Sequence, residues 1–216
     1  MATKLDAIHQ DVLIGPFGLR GILWVPVDAT GLVIFAHGSG SGRLSPRNNY
    51  VAEALRRSGC ATLLLDLLTR AEEANRANVF DIALLAERLT SAASWASRQT
   101  ALQDLPIGYF GASTGAGAAL VAATFDGPEI AAVVSRGGRP DLAGDSLPLV
   151  RAPTLLLVGS LDGPVIGLNR QAFAAITAPK ELVIVEGAGH LFEEPGTLDQ
   201  VITHASRWFA RWFAKA

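Results

Sequence analysis

Residues 111–116 read "GASTGA", between the apolar run "LPIGYF" and the small-residue run "GAALVAATF". The stretch matches G-x-S-x-G as Gly111, Ser113 and Gly115. A sharp turn from strand to helix strains the backbone of its central residue and lifts that side chain clear. Flanking glycines leave room for the crowded turn. The start of the new helix adds N–H groups and a partial positive charge where negative charge would develop. A hydroxyl held this way is placed to attack. The competing reading is a helix N-cap serine between two close-packing glycines.

A serine hydroxyl needs a base, and the base needs a third group to orient it. In open parallel sheets with this elbow the chain order is Ser, acid, His. "APTLLLVGSLDGPV" puts Asp162 just past an apolar run, and "ELVIVEGAGHLFEEPG" puts His190 just past the last one. Both project from the edge that carries Ser113, so the three are assigned as nucleophile, orienting acid and base. His9 lies before the first strand and His204 on the terminal helix, away from that edge. His37 is at the correct edge and is read as holding the loop after it. Asp66 is read as bracing its loop, and Asp141 is the alternative acid. The oxyanion hole calls for two backbone N–H groups. Thr114 follows the nucleophile and supplies one. The loop "HGSGSGR" (37–43) supplies the other from Ser39, with Gly40 second. The alternatives for that loop are a flexible turn or a phosphate cradle, but neither phosphate motif is complete.

These residues need a scaffold. Short apolar runs ("GILWVPV", "GLVIFAHG", "ATLLLD", "IGYFG", "IAAVVSR", "APTLLLVG", "ELVIVEG") alternate with amphipathic or Ala-rich stretches at 47–58, 79–98, 114–125, 167–177 and 197–214. The later runs are continuously apolar, as strands buried on both faces are. The alternation predicts a mostly parallel α/β sheet with right-handed crossovers. "DVLIG" and "GILWVPV" predict an antiparallel hairpin at one edge. "TRAEEANRAN" reads as a solvated loop and helix start.

The chain has 216 residues, half of them hydrophobic and 18% charged, which fits one domain (1–216) with a large core. A net charge of −2 gives no general attraction to nucleic acid or anionic lipid. The lone cysteine, Cys60, excludes an internal disulfide. The start has no apolar signal region and no run spans a bilayer, so a cytoplasmic protein is expected. There is no coherent His/Cys/carboxylate cluster, so no metal or organic cofactor is expected.

The segments "HGSGSGRLSPRN", "YFGASTGAGAAL", "VSRGGRPDLAG", "GSLDGPVIGLNR" and "GHLFEEPG" together resemble the α/β-hydrolase superfamily, and within it the small dienelactone hydrolase-like branch of predicted esterases. The resemblance implies an eight-stranded, mostly parallel sheet flanked by helices. Some relatives are fused to a phosphoribosyltransferase domain, for which this chain has no room. Dienelactone hydrolases proper carry a cysteine nucleophile at the elbow. Here Ser113 takes that place, which favours general serine-esterase chemistry. Lids in the superfamily usually precede the strand before the acid. Only "GGRPDLAGDSLPLVRA" stands there, so an uncapped site is expected. Haloalkane dehalogenases are disfavoured, since their elbow needs Asp at this position.

The expected substrate is a small carboxylic ester or lactone, cleaved through an acyl-enzyme. Transfer of the acyl group to an alcohol, amine or peroxide is the alternative, as is a hydrolase-fold ligand sensor with slow turnover. In "LSPRNN", Ser45 reads as N-cap, Pro46 as the first helical residue and Arg47 as a cation opposing the helix dipole. Arg43, Arg47 and Arg136 are candidates for binding an anionic group of the substrate, and Arg139 borders them. Surface arginines or internal ion pairs are the competing reading. In the tail "SRWFARWFAKA", Trp208 pairs with Trp212 and Phe209 with Phe213 at i,i+4. One stripe is expected to pack on the sheet, with a membrane-surface helix as the rival. The other stripe is left for a homodimer contact.

Overall fold

The computed structural model describes residues 7–216. Eight strands form one sheet in the order β1-β2-β4-β3-β5-β6-β7-β8. They are β1 (Ile8–Ile14), β2 (Leu19–Val25), β3 (Leu32–Ala36), β4 (Ala61–Leu65), β5 (Ile107–Ala112), β6 (Ile130–Arg136), β7 (Thr154–Gly159) and β8 (Lys180–Val185). β1 and β2 form the antiparallel hairpin, β2 runs antiparallel to β4, and every later pairing is parallel. The carboxyl ends of β3, β5, β6, β7 and β8 therefore share one edge.

The helices are α1 (Pro46–Arg57), α2 (Arg70–Glu73), α3 (Ile82–Ala96), α4 (Thr114–Ala122), α5 (Gly163–Ala175) and α6 (Thr197–Phe213). Local signals set their starts. Ser45 Oγ accepts from Asn48 N at 3.3 Å, with Pro46 first in α1. Thr69 and Glu72 form a reciprocal capping box on α2. Asp81 Oδ1 accepts from Leu84 N at 3.0 Å to open α3.

The sheet is buried on both faces because its side chains alternate. Leu32, Ile34 and Ala36 of β3 join one core with α3 and α4. Val33 and Phe35 of the same strand join the other, with α1 and α6. Residues 140–149 form 3-10 turns packed against α4 and α5, and among the described residues no separate cap domain stands over the sheet edge. No helix among the described residues is long and apolar enough to cross a membrane.

The terminal helix corrects one expectation. Trp208, Phe209 and Phe213 are all buried, and Trp212 packs against Trp208 with ring centroids 5.8 Å apart. Both aromatic stripes contribute to the core, with Trp212 only half-buried. Two glycines make this possible. A Cβ on Gly108 would lie 2.6 Å from Phe209, and one on Gly31 would lie 2.2 Å from Phe213. The rings occupy space that any side chain at Gly108 of β5 or at Gly31, just before β3, would need.

Phe209 thus anchors α6 across the sheet. Replacing it with Ala is expected to lower unfolding free energy by about 3–5 kcal/mol in guanidinium titration. A loss below about 1 kcal/mol would contradict this packing account.

Candidate active site

The elbow lies between β5 and α4. Ser113 has φ 51° and ψ −123°, a region that side chains avoid. Such a conformation costs about 1–3 kcal/mol and persists only when its surroundings impose it. Hydrogen bonds do so here. Ser113 N donates to Arg136 O at 3.4 Å, and Ser113 O accepts from Ala116 N at 3.1 Å and Arg139 N at 3.0 Å. The glycines are explained by close approach. A Cβ on Gly115 would lie 2.2 Å from Ala36 O and 2.5 Å from His37 O. One on Gly111 would lie 2.5 Å from Ala116 Cα. α4 is almost wholly buried and built of small residues, so its first turn can seat directly against β3 and β5.

Asp162 follows β7 at the N-cap of α5 but makes no side-chain cap bond. Its Oδ2 instead meets His190 Nδ1 at 2.6 Å. Backbone bonds draw their two loops together: Ser160 N to Val185 O and Leu161 N to Ala188 O, both 2.9 Å. A Cβ on Gly159 would lie 2.2 Å from Ala188 O. Gly189 N donates to Glu194 Oε2 at 3.0 Å, and this bond holds the Glu194 carboxyl below its usual range. The side chain of Asp162 is largely buried and that of His190 about one-third exposed. The histidine loop also touches the elbow region. Gly137 follows β6 with φ 49°, and a Cβ there would lie 2.6 Å from His190 O. Ser113 Oγ and His190 Nε2 make no hydrogen bond among the described residues. Such bonds are commonly loose before substrate binds.

The rival residues have other partners. Arg139 takes both oxygens of Asp141 at 2.8 Å each. Asp66 accepts from Arg43 N at 2.8 Å and pairs with the Arg43 side chain, bracing the loop. His37 Nε2 accepts from Leu67 N at 3.0 Å, so its Nδ1 carries the hydrogen and donates to Gly38 O at 2.9 Å. Burial holds its pKa low, which fits a neutral structural imidazole. His9 stacks on Trp24 at the hairpin edge. Cys60 is buried, which pushes its thiol up to about 11 and makes it a poor nucleophile. Among the described residues no group of His, Cys, Asp or Glu is arranged to hold a metal ion.

The expected oxyanion donors lie side by side with one surprise. Thr114 is the first residue of α4, so its N–H has no acceptor within the helix. Ser39 N donates to the side chain of Thr114, at 3.2 Å from Oγ1. A cavity of about 370 Å³ opens here, lined by His37, Gly38, Ser39, Thr114, Leu68 and Leu85 among others. It shares Ser39–Ser41 with a groove of about 740 Å³ that carries Arg20, Arg43, Arg47 and Arg70.

The three candidate substrate arginines separate. Arg43 and Arg47 line the groove, Arg43 paired with Asp66 and Arg47 with Glu193 at 2.6 Å. Arg136 is 6% exposed. Its Nη2 donates to Asn48 Oδ1 at 3.2 Å and its Nη1 to Leu191 O at 3.4 Å. It ties β6 to α1 and to the histidine loop rather than opening to solvent. Burial, with Arg47 nearby, pushes its pKa down to about 10. Sequence reasoning missed this clamp, the Gly137 contact and the Thr114 hydroxyl. Only the threonine beside the elbow serine left a readable signal.

No protein-family model matches the chain. It is 60% identical over 198 residues, 92% of its length, to proteins from two strains of Mycobacterium tuberculosis, each named "Putative phosphoribosyl transferase". The chain spans about half the length of these relatives (45%). A solved structure of a dienelactone hydrolase from Anabaena variabilis superposes with a TM-score of 0.91 at 53% identity. That match covers 96% of this chain and 98% of the other. Est1E from Butyrivibrio proteoclasticus superposes with a TM-score of 0.78 at 14% identity, over 97% of this chain and 100% of that one. At that identity it shows a shared fold alone.

Gly115→Ala would drive a methyl group into the Ala36 and His37 carbonyls. Because backbone rather than flexible side chain must yield, the variant is expected to lose at least about 2 kcal/mol of stability, measured by chemical denaturation. Wild-type stability in Gly115→Ala would contradict the close approach.

Proposed function

The chain belongs to the dienelactone hydrolase-like branch of the α/β-hydrolase superfamily, and on that premise we propose that it cleaves small carboxylic esters or lactones through an acyl-enzyme on Ser113. The observation that carries this reading is the 2.6 Å bond from His190 Nδ1 to Asp162, made beside a serine held at φ 51°. That bond leaves His190 Nε2 as the free base.

In the proposed reaction, Nε2 takes the Ser113 proton as Oγ bonds to the substrate carbonyl carbon. The carbonyl electron pair moves to oxygen, which is held by the Thr114 amide and by a second donor where the Ser39 loop meets Thr114. Collapse breaks the bond to the leaving alcohol, which departs with the proton from His190. Water then passes a proton to His190 and attacks the acyl carbon. Ser113 leaves with that proton and the carboxylic acid is released.

The transferase name of the mycobacterial relatives belongs to proteins of which this chain spans 45%, so it supports no activity for this portion. For the substrate's remote end we propose an anionic group met by Arg43 or Arg47. Four arginines line the groove that leads away from the elbow cavity, against the carboxylates of Asp66 and Glu73. Arg136 is assigned a positioning role, since its donors hold Asn48 and Leu191.

Two tests follow from this reading. A fluorophosphonate probe should label the wild-type protein and not Ser113→Ala, and p-nitrophenyl acetate turnover should fall at least about 10³-fold in that variant. Equal labelling of Ser113→Ala would refute the assignment of the nucleophile. Arg47→Ala should lower kcat/KM for p-nitrophenyl hemisuccinate relative to neutral p-nitrophenyl butyrate by about 10-fold, the worth of one charge-assisted hydrogen bond. An unchanged ratio would remove Arg47 from the binding site.

A further inference from the structure

We propose that the hydroxyl of Thr114 is itself an oxyanion donor, and that the Ser39 amide acts through it rather than on the substrate. The proposal rests on the ester-hydrolase reading of the site.

The argument begins with the amide of Ser39. In a two-amide oxyanion hole this N–H should face the carbonyl oxygen. It is instead directed at Thr114 Oγ1, 3.2 Å away. A threonine hydroxyl accepts through its lone pairs and donates one hydrogen. The amide occupies the accepting side. The donating side has no acceptor among the described residues. Thr114 is the first residue of α4, and the residue four positions earlier lies in β5, so a back-bond along a helix is not available. The hydrogen is thus free to turn toward whatever negative charge arises nearby.

That charge would arise within reach. The Thr114 amide is the donor expected from the residue after the nucleophile, and Oγ1 belongs to the same residue. One oxygen atom can then receive N–H and O–H from a single threonine. Thr114 is 6% exposed and lies in the wall of the cavity that Gly38, Ser39 and Gly40 also line. Little bulk water competes there, which strengthens a donor aimed at developing charge. The bond from Ser39 adds to this. An oxygen that accepts a hydrogen bond becomes a better donor through its own hydrogen. The same bond restrains the side chain, so little reorganisation remains for the reaction itself.

The rival account is that Ser39 N swings onto the substrate and leaves Thr114 Oγ1 behind. Substitution separates the two. Thr114→Val keeps the shape and the backbone N–H but removes the hydroxyl, and it also frees the Ser39 amide. Thr114→Ser keeps the hydroxyl. With p-nitrophenyl acetate, we expect Thr114→Val to lose about 10²-fold in kcat with KM changed less than about 3-fold, and Thr114→Ser to stay within about 5-fold of wild type. A merely structural role would not divide the variants by the presence of the hydroxyl. Activity of Thr114→Val equal to or above wild type would overturn the proposal in favour of the direct amide. Equal impairment of the Ser and Val variants would also overturn it. Should circular dichroism show Thr114→Val unfolded, Thr114→Ala, which suits a helix start, carries the same expectation and the same refutation. Failure of the wild type to turn over ester or to take up the fluorophosphonate probe would instead refute the esterase reading beneath it.

Discussion

The hydrogen bond between His190 and Asp162 is the constraint around which the sheet edge is arranged. It joins two loops that leave adjacent parallel strands, β7 and β8. Parallel pairing alone puts those loops on one edge, but it does not bring two side chains to 2.6 Å. The extra steps are local: the backbone bonds between the two loops, the bare Cα of Gly159 under Ala188, and the Glu194 carboxylate on Gly189 N. The imidazole is then held from one side, and its second nitrogen faces away from the acid. β6 bridges to the elbow, since Arg136 O accepts from Ser113 N while Gly137 packs on His190 O.

The elbow shows how such a site is sustained. Ser113 sits where side chains avoid, and the strain is offset by what surrounds it: three backbone bonds, a short helix of small residues, and glycines wherever backbones must touch. Glycine is required at 115 by the carbonyls of Ala36 and His37. It is required at 137 both by its positive φ and by the histidine loop. Toward the amino ends of the strands, Phe209 and Phe213 fill the space left by Gly108 and Gly31. The core supplies stability there, and the edge keeps the strained turn.

Much of the fold could be read in the chain. Continuous apolar runs marked the central strands because both of their faces are buried, and the hairpin was marked by two such runs joined by a short Gly-containing link. Boundaries were less legible. α5 begins at Gly163, inside a Gly-Pro pair that reads as a turn, because proline is well accommodated in a helix's first turn. At the candidate site, Ser113, Asp162 and His190 could be picked out because each follows a strand. Their neighbours could not. The partners of Arg43 and Arg47 lie 23 and 146 residues away, so no local pattern announces an ion pair. The acceptor of the Ser39 amide is 75 residues distant and is a side chain where a substrate oxygen was expected. That both aromatic stripes enter the core was hidden for the same reason, since a helical wheel does not reveal the bare Gly108 of β5 against which Phe209 packs.

The central claim is that Asp162 fixes the imidazole of His190 with its hydrogen on Nδ1, leaving Nε2 bare. Nitrogen NMR of the 15N-histidine protein, with His190 assigned by comparison with His190→Gln, reads that tautomer directly. At a pH where the ring is neutral, the account predicts its hydrogen on Nδ1, and loss of that preference in Asp162→Ala. A neutral His190 protonated at Nε2 in the wild type would contradict it.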